Sequence, residues 1–152
     1  MFDQIFGLPA HPLIVHTAVI FIPLLAVGSV VFGVVPRLRP RLGWAVVLLA
    51  VVSPIAAFVA KESGEALFER NFGGQAPDSP AGAALDEHMS YANPLLLSAL
   101  GLGVAALLLV YSSLRLGKTV TAILTVVTVV LAVVAAYYTV RSGHTGAIAV
   151  WS

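Results

Sequence analysis

Apolar residues fill four stretches of the chain, about 12–35, 42–60, 93–114 and 119–140, and polar residues gather between and beyond them. Each stretch holds roughly the 20 apolar residues that an α-helix needs to cross the hydrocarbon core of a bilayer. The first and second are joined by "PRLRPR" and the third and fourth by "RLGK". Connections this short predict antiparallel neighbours, hence two helical hairpins. Residues 61–92 form a long polar connection between the hairpins. The pattern therefore predicts an all-α, polytopic membrane four-helix bundle, a single domain over residues 1–152.

Composition strengthens that reading. The 152 residues are 59% hydrophobic and 10% charged, against about 25% charged in an ordinary soluble domain. A protein this small keeps much of its surface outside its core, so the missing charge implies a surface that faces lipid. The opening "MFDQIFGLPAH" lacks the basic region that begins a signal peptide, and the first apolar run reads as a retained span.

Charge sets an expected orientation. The two short connections carry Arg37, Arg39, Arg41, Arg115 and Lys118 and no acid. The other side carries Lys61, Arg70 and Arg141 against Asp3, Glu62, Glu65, Glu69, Asp78, Asp86 and Glu87. Basic residues of short loops stay in the cytoplasm, which puts both termini and the 61–92 loop outside. The net charge of +1 offers nucleic acid no basic surface. Cysteine is absent, which removes disulfides, thiolate zinc sites and covalently attached c-type haem.

The candidate chemistry lies in four histidines. His11 and His16 stand where the first span begins, His88 just before the third and His144 just after the fourth. All four belong to the outer end. Pro12 suits the first helical position, with His11 extended before it and His16 a turn inside, so both side chains have freedom to turn toward the bundle axis. His88, Tyr91 and Leu95 share one face of a helix running into the third span, which Pro94 has the means to kink. Gly143 and Gly146 flank His144, and Gly64 sits comparably beyond the second span; glycine admits a flat ligand or a second backbone at close range. Glu62 and Glu65 lie beside Gly64. An ionisable residue at a membrane edge reads as functional by default.

Plainer roles compete with each of these. His11 and His16 suit interfacial anchoring, His88 suits pairing with Asp86 or Glu87, and His144 suits the negative end of a helix. Glu62, Glu65 and Glu69 form a helical stripe of the kind water usually covers. Thr121, Thr125 and Thr128, continued by Ala132 and Ala136, make a small-residue seam, as do Gly28, Gly33, Gly101 and Gly103, and such seams pack membrane helices closely. Ser53-Pro54 reads as a kink. P-loop, dinucleotide, hydrolase and zincin motifs are missing, and no acid lies inside a span to relay protons.

"HPLIVHTAVIFIPLL" resembles the "HPLxVHFPIALL" opening of the bacterial DUF2231 membrane-protein family, and "RSGHTGAIAVW" resembles its closing "GHxGGxLVY". "AKESGEAL" and "DEHMSYANPL" are similar to its middle segments, so the resemblance runs nearly the whole length. Thr17 stands where the family usually has Phe, and Ala147 where it usually has a second Gly. The matching positions are His11, His16, His88, Gly143, His144 and Gly146. The resemblance implies a bacterial cytoplasmic membrane. Fusions of relatives to c-type cytochrome or Rieske-type domains imply a redox setting.

Three functions fit these residues. In the first, haem b is held by one axial imidazole from His11 or His16 and one from His88 or His144. The glycines make room, Arg141 or Lys61 holds the propionates, and electrons pass laterally to an extracytoplasmic redox partner. In the second, the histidines with Glu62, Glu65 or Asp86 bind zinc, copper or iron. In the third, the chain is a structural or assembly subunit whose small-residue seams meet a partner or a second copy.

Overall fold

The computed structural model describes residues 4, 5 and 8–151. A two-residue antiparallel pair, β1 (Gln4–Ile5) with β2 (Leu8–Pro9), precedes five helices: α1 (Ala10–Val34), α2 (Arg39–Phe72), α3 (Pro80–Ser90), α4 (Ala92–Arg115) and α5 (Lys118–Trp151). Four helical rods are long and apolar enough to cross a membrane, with α3 and α4 counted as one. The fold is the expected four-helix membrane bundle. α1 packs on α2 and α5, α4 packs on the same two, and α3 lies against α5.

The breaks have local causes. Pro36 opens a single 3-10 turn after α1. Arg39 then closes the end of α1 by donating to the carbonyls of Phe32 at 3.0 Å and Gly33 at 2.9 Å, groups that no helical N–H satisfies. Gly117, at φ 90°, allows the two-residue turn from α4 to α5. Gly73, at φ 59°, ends α2 in the left-handed conformation and donates its N–H to Glu69 O. Ser79 caps α3, accepting from the Gly82 N–H at 3.1 Å.

The packing is inside out relative to a soluble bundle. Most residues in the core are small: Ala18, Ala50, Ala57, Ala99, Ala106, Ala132, Ser53, Ser112 and Thr128 are all buried. Large apolar side chains such as Leu97, Val126 and Val133 stand exposed, where lipid would meet them. Small residues let backbones approach: a Cβ on Gly33 would come within 2.6 Å of Thr125 Cγ2, and one on Gly103 within 2.6 Å of Ala50 O. The Ser53 hydroxyl donates to Phe21 O at 3.1 Å, so it ties α2 to α1 across the bundle. These are the contacts that hold membrane helices together when the hydrophobic effect cannot distinguish side chain from lipid.

Three boundaries differ from the sequence expectation. α2 continues to Phe72 and α5 to Trp151, well past the apolar runs that were expected to end near 60 and 140. The expected loop 61–92 is therefore mostly helix, with residues 73–79 the non-helical link between α2 and α3. The cause is periodicity: Glu62, Glu65 and Glu69 keep an exposed face while Ser63 stays buried, so the helix leaves the apolar layer without losing its pattern. The third is the start of α1 at Ala10, two residues before Pro12. Proline is tolerated there because the first-turn N–H groups have no helical acceptor.

Candidate functional site

His11 lies in the first turn of α1, half-buried, with its ring turned toward Ala60 and Ser63 of α2. Its Nδ1 stands 3.0 Å from Ala60 O and 3.0 Å from Ser63 Oγ. A carbonyl only accepts, so Nδ1 carries the proton and Nε2 keeps the lone pair. The Ser63 hydroxyl donates to the same carbonyl at 2.9 Å. The ring occupies the space a side chain at position 64 would need: a Cβ on Gly64 would meet His11 Cε1 at 2.8 Å.

His88, near the end of α3, repeats this construction against α5. Its Nδ1–H donates to Ser142 O at 2.9 Å, with Thr145 Oγ1 3.5 Å away. The Thr145 hydroxyl donates to Ser142 O at 3.2 Å and to Arg141 O at 3.0 Å. A Cβ on Gly146 would meet His88 Cε1 and Nδ1, each at 3.1 Å. The two settings share one rule. A carbonyl at position i accepts the imidazole N–H, a buried Ser or Thr at i+3 accompanies it, and a Gly at i+4 seats the ring. "AKESG" supplies it once and "SGHTG" again, each where a membrane hairpin ends. The chain has built one site element twice.

The two imidazoles face the same space. Their ring centroids are 6.5 Å apart and their planes 76° from parallel. Among the described residues no hydrogen bond reaches either Nε2. Around them is a cavity of about 510 Å³ lined by His11, His88, Gly64, Gly143 and Gly146 at one level and by Ile22, Ala57 and Leu95 deeper in the bundle.

The remaining candidates fall into different places. His16 follows His11 by five residues, which turns it about 140° around the helix. It is exposed, borders the cavity one turn deeper, and directs its Nδ1 to Pro12 O. With His11 already inside the helix, the helical period fixes both rings and separates them. His144 is exposed on α5, away from the His11–His88 pair. Glu62 and Glu65 are exposed and face Lys61, at 3.4 and 2.7 Å. Asp86 is exposed. Glu87 is engaged by Arg141 at 2.7 Å, so His88 hydrogen-bonds to the backbone rather than to an acid of its own helix. Gly64 and Gly146 make room for the imidazoles themselves, whereas Gly143 borders open space. Among the described residues no three of His, Asp and Glu converge as a metal-holding group.

Other participants had no prominence in the sequence. Ser63 and Thr145 are buried beside the rings. Tyr91 accepts from Arg141 at 3.0 and 3.2 Å and donates to Glu87 at 3.1 Å. The signal that marks Ser63 and Thr145 is the repeated small-x-x-[Ser/Thr]-Gly spacing, visible only when the two hairpin ends are laid over one another.

The family model of DUF2231, described as a predicted membrane protein, matches residues 7–152, and the chain belongs to that family. No curated protein and no solved structure matches it.

Proposed function

We propose that this protein holds haem b between His11 and His88 and serves as a single-electron carrier at one surface of the membrane. The supporting observation is the paired construction. Metal-ligating histidines almost always donate their second ring N–H to a carbonyl, carboxylate or water, which fixes the tautomer and turns the other nitrogen outward. Both His11 and His88 have that arrangement, through Ala60 O and Ser142 O; among the described residues no hydrogen bond reaches either Nε2, and both rings line the same cavity.

The donor set favours haem over a bare ion. Two imidazoles are too few for a protein zinc site, which takes three or four ligands, yet they complete a metal whose other positions a macrocycle supplies. The cavity volume lies within the usual range for an enclosed organic ligand, about 300–1,000 Å³. Lys61, at its rim, is the cation best placed for a propionate. Bound haem would supply one-electron redox chemistry; the chain's own part is to fix the two imidazoles, exclude water with apolar walls and set the rim charge.

By the positive-inside rule the histidine end faces outward from the cytoplasmic membrane. A single haem there has no partner haem across the bilayer within this chain, so the electron would travel laterally, to a redox protein at the outer surface. A second reading takes the same Nδ1 bonds as clips that close each hairpin in a structural subunit, with no cofactor. The absorption spectrum of natively expressed, detergent-purified protein separates the two. Haem predicts a Soret band with visible bands that sharpen on dithionite reduction. A colourless preparation from haem-replete cells rejects the haem reading and leaves the clip.

A further inference from the structure

At the opposite end of the bundle a larger cavity, about 800 Å³, runs between α2 and α4. Phe32 forms its floor, Val47, Val51, Val110 and Leu114 its walls, and Arg39 and Trp44 stand at the end where α2 begins. From Arg39 to Val51 the helix rises roughly 18 Å at 1.5 Å per residue. One leaflet of hydrocarbon is about 15 Å deep, half of the roughly 30 Å core. The groove thus spans one leaflet, with a guanidinium at its polar end.

That guanidinium is held in place. Arg39 spends Nε and one Nη on the carbonyls that end α1 and lies 5.6 Å above the Phe32 ring. Arg37, Arg41, Arg115 and Lys118 share this end and are exposed. None of the five takes part in an ion pair among the described residues. The sequence has no acid between Asp3 and Glu62 and none after Glu87, so the chain supplies no carboxylate here. Only the partial negative charge of helix C-termini opposes the five cations.

We infer that this groove is a binding site for an anionic phospholipid, one acyl chain lying between α2 and α4 and the phosphate resting among Arg39 and its exposed neighbours. The continuity of an apolar channel with unpaired cations selects an amphiphile. A free phosphate would use only the cations and a zwitterionic lipid would leave their charge uncompensated. The inference is independent of what the histidine end binds.

The test uses delipidated, detergent-purified full-length protein titrated with phosphatidylglycerol, phosphatidylcholine or inorganic phosphate while thermal unfolding is followed. Phosphatidylglycerol should raise the melting temperature and the other two should not. Arg39→Gln also opens the end of α1, so the informative variants are others. Gly43→Leu fills the groove, and its Cβ meets Phe32 Cε2 at an ordinary 3.7 Å; it should abolish the phosphatidylglycerol effect. Arg41→Gln and Arg115→Gln should each weaken binding about five-fold, the worth of one basic residue near an anionic surface. Equal stabilisation by phosphatidylcholine or by inorganic phosphate would overturn the inference. So would an unchanged response in Gly43→Leu.

Discussion

The two halves of the chain make the same histidine setting from different materials. In the first, His11 belongs to α1 itself and reaches across to Ala60 of α2. In the second, His88 sits on α3, separated from α4 at Tyr91, and reaches Ser142 of α5. The polar rims differ as well. Lys61 pairs with acids of its own helix, Glu62 and Glu65, whereas Arg141 crosses from α5 to Glu87 and Tyr91. What the halves share lines the cavity; what separates them lies at its rim and beyond it. A helix that is interrupted beside its cavity-lining histidine needs a second tie to hold it, and Arg141 supplies one. The unbroken α1 has no such requirement. The common part is therefore the one to which function is assigned, and the differences read as the means of holding each copy in place.

The most direct way to break that equivalence is to remove each imidazole in turn. His11→Ala and His88→Ala should each lose most of the haem, and to the same extent, because each would remove one of the two imidazoles proposed to hold the group. His16→Ala and His144→Ala should leave the haem-to-protein ratio at the wild-type value, as both rings are exposed outside the pair. The measurement is the Soret absorbance per protein after purification. Retention in either of the first two variants, or loss in either of the last two, would mean the wrong histidines have been paired.

A finer comparison lies in the glycines that seat the rings. An added methyl at Gly64 would stand 2.8 Å from His11 Cε1, a distance at which the ring must move off its carbonyl. At Gly146 the corresponding distance is 3.1 Å, and a few tenths of an ångström relieve it. Overpacking of this kind costs about 1–3 kcal/mol. Gly64→Ala should fall at the upper part of that range and Gly146→Ala at the lower, read from unfolding in detergent. Haem occupancy should follow the same order. The reverse order would show that the first ring has more freedom than its contacts imply.

How far these residues were legible in the sequence depends on their period. The four long apolar helices and their number follow from long apolar runs, which the bilayer enforces through length alone. One end of the bundle was legible as the place of the histidines because helix ends fix membrane depth. Which two of the four converge was not. That depends on where α1 begins: a start at Pro12 leaves His11 free to turn, while a start at Ala10 commits it and His16 to faces about 140° apart. The roles of Gly64 and Gly146 were legible only as room, and the group that fills the room is an imidazole. Ser63 and Thr145 escaped notice because a hydroxyl in a helix usually returns to its own backbone, and nothing in one copy alone marks it as a partner of a distant ring. Lipid exposure also inverts the usual core signal. Most of the buried positions are alanine, serine and threonine, which carry little hydropathy contrast with what surrounds them.

The smallest expected difference concerns those two hydroxyls. Ser63 Oγ lies 3.0 Å from His11 Nδ1, within hydrogen-bond range, so the ring and the hydroxyl share both each other and Ala60 O. Thr145 Oγ1 is 3.5 Å from His88 Nδ1, where little bond remains, and its proton goes to carbonyls of its own helix. Hydrogen bonds between membrane helices average about 0.6 kcal/mol and reach about 1.7. Ser63→Ala should therefore cost on the order of 1 kcal/mol. Thr145→Val keeps the side-chain shape and removes a hydroxyl whose acceptor carbonyls retain other partners, so its cost should stay below about 0.5 kcal/mol. Double-mutant cycles with the facing histidine isolate the pair terms from general destabilisation. The Ser63–His11 cycle should show coupling and the Thr145–His88 cycle should close to near zero. Equal coupling in both cycles would mean that the two copies match more closely than their hydrogen bonds indicate, with Thr145 drawn onto its ring as firmly as Ser63 is.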